Sequence, residues 1–287
     1  MSTSTFNPFA GGEIKRVSPS TPSQREIISS AQLGDEANTA FNESVLLEIK
    51  GCVDRDLVEK SFNSLVRRHD AFQVTFSRKG DEMCLQTDML SALEYADLQN
   101  MSDSEASDYV EKLQENIRIS PMDLEEGPLI FAWLLQYSSD RYDLVMAVHH
   151  AVCDGWTFGL ILNELSDIYG FGGDTSSLPI APSFMDYAEK MDATQVSNRD
   201  VDYWREKFVN IPPNLDLPLD YVRPLSRSFS AARIDYLFDS ELTTALKRSA
   251  ATLKSSLVNV VLAGYFTLLH KLTSNQDIVV GLPIAGQ

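Results

Sequence analysis

The chain has 287 residues and carries 41 acidic against 24 basic side chains, a formal charge of −17. That negative excess argues against a duplex nucleic-acid binder, which needs a basic stripe to displace counterions, and 44% apolar with 23% charged content excludes global disorder and suits one large or two ordinary globular units. Apolar runs such as Leu144–Val148 fall well short of the roughly 18 residues a spanning helix needs, so no membrane segment is expected.

Residues 1–12, small, polar and Gly-ended, read as a flexible leader without the basic and apolar regions of a signal peptide. Cys52, Cys84 and Cys153 are too few and too scattered for a disulfide framework, which points to a reducing cytoplasm. The segment Ser18–Ser23 sets up a helix start near Gln24. From Asp54, the apolar positions Leu57, Val58, Phe62, Leu65 and Val66 recur at helical spacing and end at the basic cluster Arg67-Arg68-His69. Phe72–Phe76 and Met83–Gln86 flank a polar turn and predict two strands. A helix over Ser104–Ile117 follows, with Tyr109, Val110, Leu113 and Ile117 on one face.

Leu129–Tyr137 and Tyr142–His149 are apolar runs joined by Ser138-Ser139-Asp140, the pattern of adjacent buried strands. After the second comes Ala151-Val152-Cys153-Asp154-Gly155, then a helical stripe of Trp156, Leu160, Ile161, Leu165 and Ile168. The Gly- and Pro-rich stretch Gly170–Pro182 is the best candidate for a domain boundary, giving a first lobe over 13–180 and a second over 181–287. Beyond it the pattern predicts helices over Phe184–Met191, Asn198–Phe208, Glu241–Leu253 and Leu257–Leu272, and strands at Arg233–Phe238 and Asp277–Gly281, with a proline-rich extended stretch from Ile211 to Pro224.

Two of the four histidines are adjacent, His149-His150. Strand side chains alternate faces, so the pair should point in opposite directions and cannot readily share a metal. His150, leaving the strand, is the candidate for a solvent channel and for a general base or amine-positioning group; His149 should pack inward. Asp154, at a helix start, would hold the turn by accepting backbone N–H bonds or by pairing with an arginine. Gly155 would permit positive φ or close approach of substrate. Cys153, beside an acid, reads as a buried, inert thiol rather than a nucleophile. His69 reads as a helix-end residue in a dipole contact, and His270 as a partly buried packing residue. No third ligand at zinc spacing exists, and G-x-S-x-G, Walker A and G-x-G-x-x-G are absent.

The string from Val148 to Leu165 resembles the H-H-x-x-x-D-G signature of the condensation domains of nonribosomal peptide synthetases, within the chloramphenicol-acetyltransferase-like superfamily. Other segments agree in order. Ser20–Arg25 looks like the family's opening motif, and Arg68–Phe76 like R-H-E-x-L-R-T-x-F. Asp186-Tyr187-Ala188 looks like D-Y-A, Leu217–Pro224 like L-P-x-D-x-x-R-P, and Asp277–Gly286 like D-x-V-V-G-x-P-x-A-G. The resemblance implies an α/β fold (an α+β sandwich, chloramphenicol acetyltransferase-like) with two lobes in a V around a tunnel, here a complete N-terminal lobe and part of the C-terminal one.

The implied activity is acyl transfer in secondary-metabolite biosynthesis: an aminoacyl amine attacks an acyl thioester, both substrates borne on phosphopantetheine arms of donor and acceptor carrier proteins. No tightly bound cofactor or metal is implied, and the other partners would be neighbouring synthetase modules. His150, Asp154 and Gly155 would be the catalytic positions, with His149, Arg68, Gln73 and Trp156 in support. Gln73 stands where the family usually has an arginine that pairs with the motif aspartate, so either that support is lost or another arginine such as Arg25 supplies it. The chain also stops short of the family's final motif, which implies a piece of a larger synthetase. Alternatives are a stand-alone acyl-CoA or acyl-carrier O- or N-acyltransferase of the same superfamily, or a noncatalytic carrier-docking module.

Overall fold

The two apolar runs on either side of Ser139-Asp140 form the centre of a sheet. In the computed structural model, which describes residues 13–89, 91–194, 197–212, 214–225 and 227–282, they are β6 (Ile130–Ser138) and β7 (Arg141–His149). They pair antiparallel with Leu134 opposite Leu144. Every residue of β7 from Tyr142 to His149 is buried, which explains its unbroken apolar character: both faces are covered. β2 (Asn42–Lys50) pairs antiparallel with the other side of β7, setting Asn42 opposite His149. β5 (Leu93–Asp97) runs parallel to β6, and the order is β2-β7-β6-β5. A second, three-stranded sheet has β4 (Glu82–Gln86) between β1 (Ile14–Pro19) and β3 (Val74–Phe76).

The longer helices of this part are capped by the residues that flank them. Thr21 and Gln24 form a capping box on α1 (Pro22–Ala31), Asp54 caps α3 (Arg55–Arg68), and Ser102 with Glu105 boxes α4 (Asp103–Ile119). A short α2 (Asp35–Thr39) follows α1. α3 packs on α5 (Gly155–Gly170), and Phe62, Leu65 and Val66 join Ile161, Leu165 and Ile168 in one buried core with Leu134, Leu144 and Met146 of the sheet. Trp156 and Leu160, expected in the same stripe, are instead 76% and 52% exposed, because the face of α5 that packs is narrower than its apolar sequence.

The chain divides at 195/196 rather than at Gly170–Pro182. The Gly/Pro stretch is fastened, not free: Lys60 and Ser64 of α3 donate to the carbonyls of Gly172 and Gly173, and Arg68 donates to the Pro179 carbonyl. α6 (Phe184–Ala193) then packs on β1. The expected leader, residues 1–12, lies outside the described residues.

The unit over residues 196–287 contains α7 (Asn198–Lys207), α8 (Ser240–Thr252) and α9 (Leu257–Thr273), the last two packed together with axes 103° apart. Arg233–Phe238 and the described part of Asp277–Gly286 form no strand. A strand exists only through its ladder, and no described residue in this unit pairs with either segment. His270, expected to be partly buried, is exposed and hydrogen-bonds the Asn275 carbonyl through Nδ1 at 2.7 Å. Among the described residues no single helix is long and apolar enough to cross a membrane.

Candidate active site

β7 ends at His149, and the chain turns before α5 begins at Gly155. The alternation of strand side chains separates the two histidines as expected: His149 is fully buried and His150 half-buried. His149 Nδ1 accepts the Ala151 N–H at 3.1 Å. A neutral ring with one accepting nitrogen must carry its proton on the other, Nε2, which has no hydrogen-bond partner among the described residues. Burial, reinforced by the neighbouring His150, pushes the His149 pKa down to about 4. This ring is therefore a neutral structural group.

His150 has the opposite arrangement. Its backbone N–H is anchored on the Phe41 carbonyl at 2.8 Å, and its Nδ1 lies 2.6 Å from the Cys153 carbonyl oxygen. A carbonyl can only accept, so Nδ1 carries the proton and Nε2 keeps its lone pair. Among the described residues nothing occupies that nitrogen. His150 thus presents an unengaged proton acceptor from a turn held at both ends.

Asp154 is the N-cap of α5. It accepts the Thr157 N–H at 2.8 Å and the Thr157 hydroxyl at 2.6 Å, completing a capping box. Burial works against its ionisation, but these hydrogen bonds outweigh it and hold the carboxyl below its ordinary value. No arginine pairs with Asp154 among the described residues. Gln73 donates instead to the carbonyls of Arg67 and His69, at 3.1 and 3.4 Å, and Arg25 faces Asp192 at 3.8 Å. The capping role and the lowered carboxyl pKa together imply that Asp154→Asn, whose amide oxygen can still accept from Thr157 but carries no charge, loses some stability, though less than the roughly 1 kcal/mol lost by Asp154→Ala. Urea unfolding of both variants checks this; equal losses would mean that the charge matters more than the cap.

Gly155 occupies the first position of α5, and its φ lies outside the left-handed region. Positive φ is therefore not why glycine stands here. A Cβ at this position would meet no protein atom within 4 Å. Cys153 is buried, and burial, with Asp154 adding to it, pushes its thiol pKa up to about 12. It is no nucleophile at neutral pH.

The Arg68-His69-Asp70 motif fastens the site from behind. Arg68 Nε and His69 Nε2 reach the same Glu164 oxygen of α5, at 3.0 and 2.7 Å, with little exposure on any of the three. Burial opposes ionisation of Glu164, yet the bonds from Arg68 and His69 hold its carboxyl below the usual range. His69 thus has a carboxylate partner, where a helix-dipole contact alone was expected. Asp70 accepts from the backbone N–H groups of Phe184 and Met185, tying down the start of α6. One supporting residue escaped the sequence reading: Gln24 of α1, whose Nε2 donates to the Ala151 carbonyl at 3.0 Å. Its only signal in the sequence was its place in the opening motif.

The condensation domain family model matches residues 14–287. The chain is 30% identical over 280 residues to bacitracin synthase 2 of Bacillus licheniformis, covering 96% of this chain and 10% of that protein. It is 29% identical over 283 residues to surfactin synthase subunit 2 of Bacillus subtilis (strain 168), covering 99% and 8%. The chain therefore spans a tenth or less of the length of these two relatives. Among solved structures, the first condensation domain of the calcium-dependent antibiotic synthetase, in complex with a substrate analogue, matches with a TM-score of 0.73 at 19% identity, over 93% of this chain and 63% of that one. A four-domain nonribosomal peptide synthetase bound to AMP and glycine matches with a TM-score of 0.76 at 21% identity, over 93% and 20%. The α/β fold expected from the sequence is thus the fold of these domains. With the H-H-x-x-x-D-G turn in place at the end of β7 and the match running over nearly the whole length, the chain belongs to the condensation domain family.

Proposed function

We propose that this chain catalyses amide bond formation between a donor acyl thioester and an acceptor aminoacyl thioester, each presented on the phosphopantetheine arm of a carrier-protein domain. The observation that carries this reading is the His150 Nδ1 contact to the Cys153 carbonyl, which reserves Nε2 as a proton acceptor beside an open glycine position. A thioester is already activated, so the chain needs no covalent nucleophile; holding two tethered substrates together supplies much of the rate.

The acceptor amine forms a C–N bond to the donor carbonyl carbon while Nε2 of His150 takes the amine proton. The tetrahedral intermediate then expels the donor thiolate, breaking the C–S bond, and His150 returns the proton to sulfur. The Gly155 backbone N–H, which makes no hydrogen bond among the described residues, is the donor available to the developing oxyanion. The cytoplasm, where carrier-borne thioesters are made, suits a chain with three free cysteines.

The test uses the natural polypeptide that bears this chain, mixed with an acyl-loaded donor carrier and an aminoacyl-loaded acceptor carrier. Intact-protein mass spectrometry should find the acyl group moved onto the acceptor as an amide. Transfer only from acyl-CoA to a free alcohol or amine would assign a stand-alone acyltransferase, and carrier binding without transfer would assign a docking module.

A further inference from the structure

The structure assigns Gln24 as the positioning residue that fixes the tautomer of His150, by holding the carbonyl of Ala151, which lies 127 residues from Gln24 in sequence. This inference rests on the reading of His150 as the proton acceptor of amide formation. Gln24 is 4% exposed, and both ends of its amide are committed. Oε1 accepts the Thr21 N–H at 3.0 Å and lies 3.3 Å from the Thr21 hydroxyl, while Nε2 donates to Ala151 at 3.0 Å. A backbone N–H can only donate and a carbonyl can only accept, so the orientation of the amide is forced.

Ala151 is the hinge of the turn. Its N–H is given to His149 Nδ1, and its carbonyl receives Gln24, so the peptide units on both sides of its Cα are held. The Val152 N–H closes the turn on the His149 carbonyl at 3.0 Å. Two residues beyond Ala151 lies the Cys153 carbonyl, the group that keeps the proton on His150 Nδ1. The turn's far end is fixed where Asp154 caps α5. Release of the Ala151 carbonyl leaves the 151–152 peptide held only by the Val152 N–H on the His149 carbonyl, so the turn can tilt about that bond and the Cys153 carbonyl shifts with it. His150 then loses the acceptor that selects its tautomer, and the form protonated on Nε2, which cannot act as base there, gains population. No other hydrogen bond among the described residues reaches the Ala151 carbonyl.

The chemistry of the capping box separates this role from an ordinary structural one. Gln24→Glu keeps an oxygen for Thr21, since glutamate serves that position as well as glutamine, but it cannot donate to Ala151 when ionised. Thr21→Ala does the reverse, removing the cap hydroxyl and leaving the amide. In the 287-residue chain labelled with 15N-histidine, Gln24→Glu should convert His150 from the Nδ1-protonated signature to a mixture of tautomers, while Thr21→Ala lowers the melting temperature and leaves that signature unchanged. In the amide-forming assay, Gln24→Glu should lower kcat on the order of 10²-fold, as expected for a slight misplacement of a reacting group, with KM for both carriers unchanged. Gln24→Met, uncharged and of similar length, should do the same should Gln24→Glu not fold. A wild-type His150 signature and kcat in the folded Gln24 variant would overturn the assignment. Absence of amide formation by the wild-type protein would overturn the proposed function alone, because the tautomer readout needs no activity.

Discussion

His150→Ala is expected to cut the rate of amide formation by about 10²–10⁴-fold, the range for removing a positioned general base, while leaving the protein folded. The asymmetry follows from the two ring nitrogens. Among the described residues only Nδ1 is engaged, through one hydrogen bond to the Cys153 carbonyl. Its loss costs about 1 kcal/mol, and the half-buried ring leaves no sealed cavity. Nε2 has no partner to lose among the described residues, so what it contributes belongs to the reaction. Stopped assays with both carriers at saturating concentration, set beside urea unfolding of the same protein, read the two effects separately. A His150→Ala protein that makes amide at the wild-type rate would remove the proton-acceptor role. One that no longer folds would show that the ring supports the turn rather than the chemistry.

The parts of this site that were legible in the sequence are those set by local periodicity. Alternation continued past the end of β7 puts His149 inside and His150 toward solvent, and the one is buried, the other half-buried. Asp54 and Asp154 announced helix starts because a cap is written within four residues, whereas the cap of α4, Ser102, lies two residues before the start read at Ser104. β7 was legible because a strand buried on both faces reads as an unbroken apolar run, and β6 because its apolar run is bounded by turn residues.

What stayed hidden is what tertiary pairing decides. β2 runs Asn-Glu-Ser-Val-Leu-Leu-Glu-Ile-Lys, without clean alternation, and is a strand because β7 offers its free edge. Arg233–Phe238 has the opposite history: Ile234, Tyr236 and Phe238 alternate as a strand should, but alternation without a partner makes no ladder. The same limit applies to side chains. Glu164 lies 96 residues from Arg68, and no spacing rule links them, yet that contact ties α3 to the helix that Asp154 caps. Trp156 fitted the apolar stripe of α5 and is nonetheless exposed, since periodicity reports which residues share a face and not how much of that face is covered.

The second large effect is a pH dependence of stability carried by His149. Its folded-state pKa is about 4, against an ordinary value near 6.5. The unfolded chain therefore binds a proton between those values that the native state refuses. Where the unfolded state binds more protons, stability rises with pH. The contribution from this ring is complete above about pH 6.5 and is lost as pH falls through 4, a change of about 3 kcal/mol at roughly 1.4 kcal/mol per pKa unit. Carboxylates held below their ordinary values, such as Glu164 and Asp154, also lose stability as they become protonated, so the His149 share must be isolated by a variant. His149→Asn suits this purpose: its amide oxygen can still accept the Ala151 N–H that Nδ1 accepts, and it does not titrate. The variant should be less stable than wild type at pH 7 because a smaller side chain sits in a closed site. Its disadvantage should then shrink as pH falls toward 4, since only the wild type is being protonated against its own fold. Urea midpoints of the two proteins at pH 7, 6, 5 and 4 should converge. Parallel curves would mean that the buried ring accepts its proton without penalty, through an acceptor for the Nε2–H that the native site supplies.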